Sequence, residues 1–344
     1  MNYLSNLARM TLQQRLLDPL VAIYYVTTHC NLHCAYCEDF GAHRNLENQP
    51  AAQPEQARNI LKIIRSGVDA LWITGGEPLL VPHLGELLEY AKKKLRFRQI
   101  SLITNGTLLP KRDDILPHLD RLVISLDSLA PSTWDALNMP QSYAESILDI
   151  IVETAILQKE HHFRLILNAV ITPEGLTNSK LENLIDFCKA NNTLVSFSPQ
   201  ATNNWPRYEL ITSPEYLSFL NELAMRKKKG DPILGSDLYL KTLRENRPYD
   251  CYPSLAPRIL PNGDLSYPCR PIEKANGEHG GRPVNLLDVP DWQAAIKIAR
   301  QVYGDPPTMC FSCFQQCYAE PSLMQAYPLE ALQDGKSLAT YVPG

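Results

Sequence analysis

Six short apolar runs, each separated from the next by polar or helix-forming sequence, constrain the fold of this chain more than any other feature. They are VAIYYVTT from Val21, ALWITGG from Ala70, ISLITNG from Ile100, RLVISLDS from Arg121, RLILNAVIT from Arg164 and TLVSFSPQ from Thr193. Their length and their content of Val, Ile, Tyr and Trp suit buried strands. Between them apolar residues recur at helical spacing: Ala57, Ile60, Leu61 and Ile64 after Pro54, then Leu84, Leu87, Leu88 and Ala91, then Ile147, Ile151 and Ala155, then Leu181, Leu184, Ile185 and Cys188. Near-continuous apolar strands alternating with amphipathic helices predict a parallel sheet covered by helices. The fold class is therefore α/β, a partial (β/α)6 TIM-like barrel over residues 21–205.

In such a barrel functional side chains collect at the C-terminal ends of the strands. Those ends here carry Cys30, then Gly75, Gly76 and Glu77, then Thr104, Asn105 and Gly106, then Ser125, Asp127 and Ser128, then Asn168, then Ser198 and Gln200. A chain of 344 residues has room for a further unit beyond the barrel. Residues 1–20 are predicted to be an N-terminal helical extension. Residues 206–250 are predicted to be a linker with helices, including SPEYLSFLNELAMRKKKG from Ser213. The cations Arg226 to Lys229 there, followed by Gly230, read as the solvated last turn of a helix. Residues 251–344 are predicted to be a small Cys-rich α+β domain, with a hairpin in RILPNGDLSYPC turning at Asn262-Gly263 and a helix in DWQAAIKIARQV.

A formal net charge of −4 gives no electrostatic reason to expect a nucleic acid or an anionic membrane as partner. No apolar run is long enough for a membrane span and no signal-peptide pattern opens the chain, so a cytoplasmic location is expected. In that reducing compartment nine cysteines suggest metal sites and not a disulfide framework. Cys188 shares the phase of its helix and belongs to the core. Cys30, Cys34 and Cys37 form C-x3-C-x2-C; Cys251, Cys269, Cys310, Cys313 and Cys317 form the second group. Thiolates select zinc, copper(I) or iron-sulfur clusters. Structural zinc takes four protein ligands, which His29 or His33 would complete in the first group, whereas three thiolates alone suit a cluster with one iron left open.

CNLHCAYC, Cys30 to Cys37, resembles the cluster loop of the radical S-adenosylmethionine (radical SAM) superfamily, and TGGEP, Thr74 to Pro78, resembles its methionine-binding motif. The resemblance covers roughly residues 20–200. It implies that Cys30, Cys34 and Cys37 bind three irons of a 4Fe-4S cluster and that SAM chelates the fourth. It implies that Tyr36 packs near the adenine and that Gly75, Gly76 and Glu77 hold the methionyl ammonium, glycine permitting close approach and a carboxylate facing a cation. Asn105, Ser125, Asp127 and Asn168 are similar to the family's ribose and carboxylate contacts. The implied chemistry is reductive cleavage of SAM to a 5′-deoxyadenosyl radical that abstracts a substrate hydrogen atom, with a low-potential electron donor such as flavodoxin or ferredoxin as partner.

The C-terminal cysteines resemble the auxiliary-cluster extension called SPASM or, in its shorter form, twitch, which implies one auxiliary 4Fe-4S cluster. Five cysteines are too few for two all-cysteine sites and one more than a single site needs. Cys251, Cys269, Cys310 and Cys313 are the expected ligands, with Cys317 replacing one of them or standing free. An auxiliary cluster that accepts an electron supports dehydrogenation of a small polar metabolite; a peptide or protein maturase is the alternative. A noncatalytic double zinc-binding interaction protein is the alternative of another class. His43, Arg44, Asn203, Asn204, Trp205 and Arg207 are candidate substrate contacts. Asp264, Tyr267 and Arg270 are candidate bases by position alone.

Overall fold

In the computed structural model, which describes residues 2–40, 50–178, 180–202, 205–275, 284–307 and 313–334, all six expected strands form. They are β1 (Ala22–Tyr25), β2 (Ala70–Thr74), β3 (Gln99–Thr104), β4 (Arg121–Ser125), β5 (Arg164–Ile171) and β6 (Leu194–Pro199). Each pairs with the next in parallel register. Every residue of β1 is buried, which is why its sequence is apolar without alternation. A two-stranded ribbon of β7 (Ala201–Thr202) and β8 (Trp205–Pro206) follows β6.

The helices form where the periodicity places them. Pro54–Arg65 buries Ala57, Ile60, Leu61 and Ile64; Gln141–His161 and Glu182–Ala190 bury Ile147, Ile151, Leu184, Ile185 and Cys188. Burying an Ile or Leu side chain contributes about 1.5–3 kcal/mol, so Ile60, Leu61 and Ile64 on one face outweigh the middling helix propensity of isoleucine. Pro54 opens the first of these helices with its φ already helical. The hairpin also forms, as β9 (Arg258–Ile259) and β10 (Asp264–Ser266) with Gly263 at φ 93° in the turn. It is hydrogen-bonded into the barrel sheet: β9 runs parallel to β1, with Ile23 opposite Arg258 and Tyr24 opposite Ile259. With β11 (Val284–Asn285), a single nine-stranded sheet runs β11-β10-β9-β1-β2-β3-β4-β5-β6.

One cationic turn differs from its reading as a solvated end. Arg226 closes the helix Pro214–Lys228 by pairing with Asp186 and Asp231, and Lys227 reaches Asp334, each with most of its side chain buried. Asp186 and Asp334 come from distant segments, which periodicity does not display. At the other end of the chain, helix Asn2–Thr11 docks on helix Gln316–Ala326: the Tyr3 hydroxyl donates to Met324 O at 2.8 Å, and Gln325 Nε2 donates to Tyr3 O at 3.1 Å. Among the described residues no helix is long and apolar enough to cross a membrane.

Candidate functional site

Cys30, Cys34 and Cys37 follow β1 and line one cavity at the strand ends with Tyr36, Gly75, Gly76, Asn105, Ser125 and Asp127. Backbone amides already point at two of the sulfurs: Leu32 N donates to Cys30 Sγ and Phe40 N to Cys37 Sγ, both at 3.4 Å. Burial pushes the Cys30 and Cys34 thiols above their ordinary range. Sulfurs in that setting become thiolates when a metal's charge is beside them. Three thiols lining one cavity, two of them with N–H donors, have the soft-donor chemistry of an iron-sulfur group. Asn168 lies one strand further, opposite Ser125 in register, and lines the barrel interior instead; its Oδ1 accepts from Ser196 Oγ at 2.9 Å.

Asp127 ties the cysteine loop to the sheet. Its Oδ2 accepts from the Tyr36 hydroxyl at 2.7 Å and its Oδ1 from Val170 N at 2.8 Å. Burial pushes its carboxyl up to about 6, against the pull of those two donors. Tyr36→Phe is expected to leave Oδ2 buried without its donor and to cost about 1–3 kcal/mol. Thermal unfolding checks this; a variant as stable as the parent would show that the loop is held by other contacts.

The glycine pair has a structural cause. Gly75 sits at φ 153°, and a Cβ there would lie 2.3 Å from Thr27 O; one at Gly76 would lie 2.1 Å from His29 O. Gly76 N donates to Thr27 O at 2.8 Å and Glu77 N to His29 O at 2.7 Å. Backbone therefore meets backbone between the end of β2 and the start of the cysteine loop, and only glycine leaves room. Glu77 is fully buried: Oε1 accepts from Leu79 N at 2.9 Å and Thr104 Oγ1 at 2.7 Å, and Oε2 from Asn105 N at 2.8 Å. Asn105 in turn donates to Asn31 Oδ1 at 2.9 Å, inside the cysteine loop.

The second cysteine group gathers around the start of helix Gln316–Ala326. Cys251, Cys269 and Cys313 are buried and Cys317 is partly so; Cys310 lies outside the described residues. Tyr318 Oη accepts from Arg270 N, next to Cys269, at 3.4 Å. Ser322, one turn on, has its Oγ 3.9 Å from Cys251 Sγ, and the Tyr249 hydroxyl is 3.4 Å from Cys313 Sγ. Arg258 Nη2 donates to Cys317 Sγ at 3.3 Å. These four sulfurs, from three separate segments, are soft donors of the kind an iron-sulfur group takes; among the described residues no three of His, Cys, Asp or Glu form a ready site for a single metal ion.

Gln315 and Cys317 also line the interior cavity of the barrel, facing Trp72, Ser101, Arg121, Asn168 and Ser196. Ile103 borders both this cavity and the cysteine cavity. Most of these residues escaped sequence reasoning, although a signal exists: Ser101 and Ile103, Arg121 and Val123, Ile166 and Asn168, Ser196 and Ser198 are alternate positions pointing into one lumen. The candidate bases are engaged elsewhere. Asp264 holds the hairpin turn through Asn262 and Asn285, Tyr267 donates to Gly304 O at 2.9 Å, and Arg270 pairs with Asp39 at 3.1 Å. Trp205 is on the surface and Arg207 borders a shallow cleft with Tyr36. His43, Arg44, Asn203 and Asn204 lie outside the described residues.

A sequence model of the Radical SAM superfamily matches residues 24–188. The GTP 3′,8-cyclase of Aquifex aeolicus is 27% identical over 205 residues, 57% of this chain and 62% of that protein. The probable GTP 3′,8-cyclase of Methanothermobacter marburgensis is 32% identical over 178 residues, 50% of this chain and 54% of that protein. The chain thus spans somewhat over half the length of these curated relatives. Among solved structures, anSMEcpe with bound AdoMet has a TM-score of 0.57 at 15% identity, covering 94% of this chain and 98% of that one. That likeness shows the barrel fold.

Proposed function

We propose that this chain, whose residues 24–188 match the model of the Radical SAM superfamily, cleaves SAM reductively at the Cys30, Cys34 and Cys37 cavity and oxidises a small polar metabolite held in the barrel interior. When bound, the 4Fe-4S cluster and SAM supply a 5′-deoxyadenosyl radical that removes a hydrogen atom, and an auxiliary 4Fe-4S centre supplies an acceptor for the second electron. The observation that carries the reading is the sharing of one cavity by the three thiols, the glycine rim and the strand-end polar groups, with the barrel lumen adjoining it.

Each residue then has a task. Cys30, Cys34 and Cys37 hold the cluster, with the amides of Leu32 and Phe40 on two of its sulfurs. Carbonyls near Gly75 and Gly76 take the ammonium of SAM, and Asn105 and Ser125 take its ribose or carboxylate. Asp127 fixes Tyr36, so the wall beside the adenine is rigid before ligand arrives. Glu77 acts through the backbone it holds. Gln315 and Cys317 close the lumen from the far side, excluding water from a radical that abstracts from the nearest donor.

The lumen favours a hydroxylated or amide-bearing substrate. Among its described lining residues Arg121 is the one cation, beside Ser101, Asn168, Ser196, Ser198 and Gln315. Serines and amides pair with hydroxyls, whereas a polyphosphate calls for several cations. The GTP chemistry named for the curated relatives is therefore not carried over. An anaerobically reconstituted sample given dithionite and SAM is expected to release 5′-deoxyadenosine and methionine. No cleavage by iron-loaded protein would defeat the proposal.

A further inference from the structure

Among the described residues Arg258 is the most deeply placed cation without a carboxylate. It is 8% exposed, and among the described residues no Asp or Glu pairs with it. Its guanidinium lies 5.1 Å from the centre of the Tyr318 ring and 5.8 Å from that of Tyr25. Nη2 donates to Gln315 Oε1 at 3.1 Å and to Cys317 Sγ at 3.3 Å, and Nε has no partner among the described residues. Two neutral rings and an amide do not cancel a buried charge, and a buried cation persists where an anion balances it. The sulfur of Cys317 at 3.3 Å is where an anionic metal-sulfur group would meet it.

The contrast with Arg270 sharpens the point. Arg270 follows Cys269 and is also buried, but Asp39 neutralises it at 3.1 Å. Arg15, which donates to Cys251 O at 2.9 Å, has Asp250 at 3.8 Å, so of the three guanidiniums beside the C-terminal cysteines Arg258 is the one that contributes a net field. A four-thiolate iron-sulfur centre is anionic and gains one more negative charge on reduction. A fixed cation at hydrogen-bond distance from a ligand sulfur stabilises the reduced form more than the oxidised one.

We infer that Arg258 is the built-in counter-charge of the C-terminal cysteine centre, a positioning residue that acts through Cys317 and holds the reduction potential of that centre up. The inference rests on the proposed auxiliary 4Fe-4S centre and makes Cys317 one of its ligands. Arginine suits the place better than lysine, because a planar fork stacks between two rings while one nitrogen reaches the sulfur. The consequence for the proposed reaction is directional. A raised potential makes the centre a better acceptor of the electron that a substrate radical releases.

The test uses the full chain carrying Cys30→Ala, Cys34→Ala and Cys37→Ala, so that only the C-terminal centre remains. Iron and sulfide are counted first: no iron overturns the proposed centre and the inference with it. With about four irons present, redox titration followed by electron paramagnetic resonance compares Arg258 with Arg258→Lys and Arg258→Met. Arg258→Met is expected to weaken reduction at least tenfold in the one-electron equilibrium constant, a fall of about 59 mV, while Arg258→Lys stays within about threefold of the parent. An unshifted Arg258→Met potential overturns the inference and leaves the centre standing. If Arg258→Met fails to assemble, 15N-arginine labelling decides: a 15N coupling to the reduced centre is expected, and is expected to vanish in Arg258→Lys. A spectrum without that coupling overturns the inference.

Discussion

Alanine at Cys30, Cys34 and Cys37 together is expected to lower bound iron from about eight to about four per chain and to abolish 5′-deoxyadenosine formation. The expectation follows from where the sulfurs stand. Three thiols share one cavity with the glycine rim, and the second group is anchored around Tyr318 and Ser322 on a helix that follows the barrel in sequence. Removing the first set takes no hydrogen bond from the second. Iron, acid-labile sulfide and SAM cleavage are measured side by side on anaerobically reconstituted protein. A loss of all iron would overturn the proposed second centre. Zinc in place of iron in the parent would sink the enzyme and leave a thiolate-stapled binding protein.

Glu77→Ala is expected to destabilise the chain by about 3–5 kcal/mol, since each buried donor left without an acceptor costs about 1–3 kcal/mol. Glu77 is fully buried and accepts from Leu79 N, Thr104 Oγ1 and Asn105 N, so alanine strands three donors where water does not reach. Asn105 also grips Asn31, so the cysteine loop loosens as well. Denaturant unfolding reads the stability and equilibrium dialysis reads SAM affinity. A stability loss places the carboxylate in the scaffold. Unchanged stability with lost SAM affinity would instead place it on the ammonium, as its position in the motif suggests.

That comparison shows what a sequence displays and what it hides. The six strands and their covering helices were legible because burial on both faces leaves an apolar run, and burial on one face leaves a period; Ala22–Tyr25 and the Ile60, Leu61, Ile64 stripe are clear instances. Gly75 and Gly76 were legible as essential, but the reason was not. Sequence suggested room for a ligand, whereas the close neighbours are the carbonyls of Thr27 and His29. Glu77 suggested a partner for a cation, yet its donors are two amides and a hydroxyl. Arg258 gave no signal at all. In PRILPNGD it reads as an ordinary polar position of a hairpin, and its meaning comes from Tyr25, Gln315 and Cys317, brought to it from opposite ends of the chain.

The parallel pairing of β9 with β1 also bears on how this protein is made. Ile23 N donates to Pro257 O at 2.9 Å, and Leu20 N to Leu255 O at 2.9 Å, so one whole side of β1 is satisfied by chain synthesised more than two hundred residues later. Until those residues leave the ribosome, an entirely apolar strand offers an open edge to any other strand nearby. A fragment ending before Cys251 is a candidate for self-association by strand addition and a poor choice for expressing the barrel alone. The C-terminal cysteine group thus reaches its finished surroundings only at the end of synthesis, whereas every residue lining the cavity of Cys30, Cys34 and Cys37 has been made by Val170.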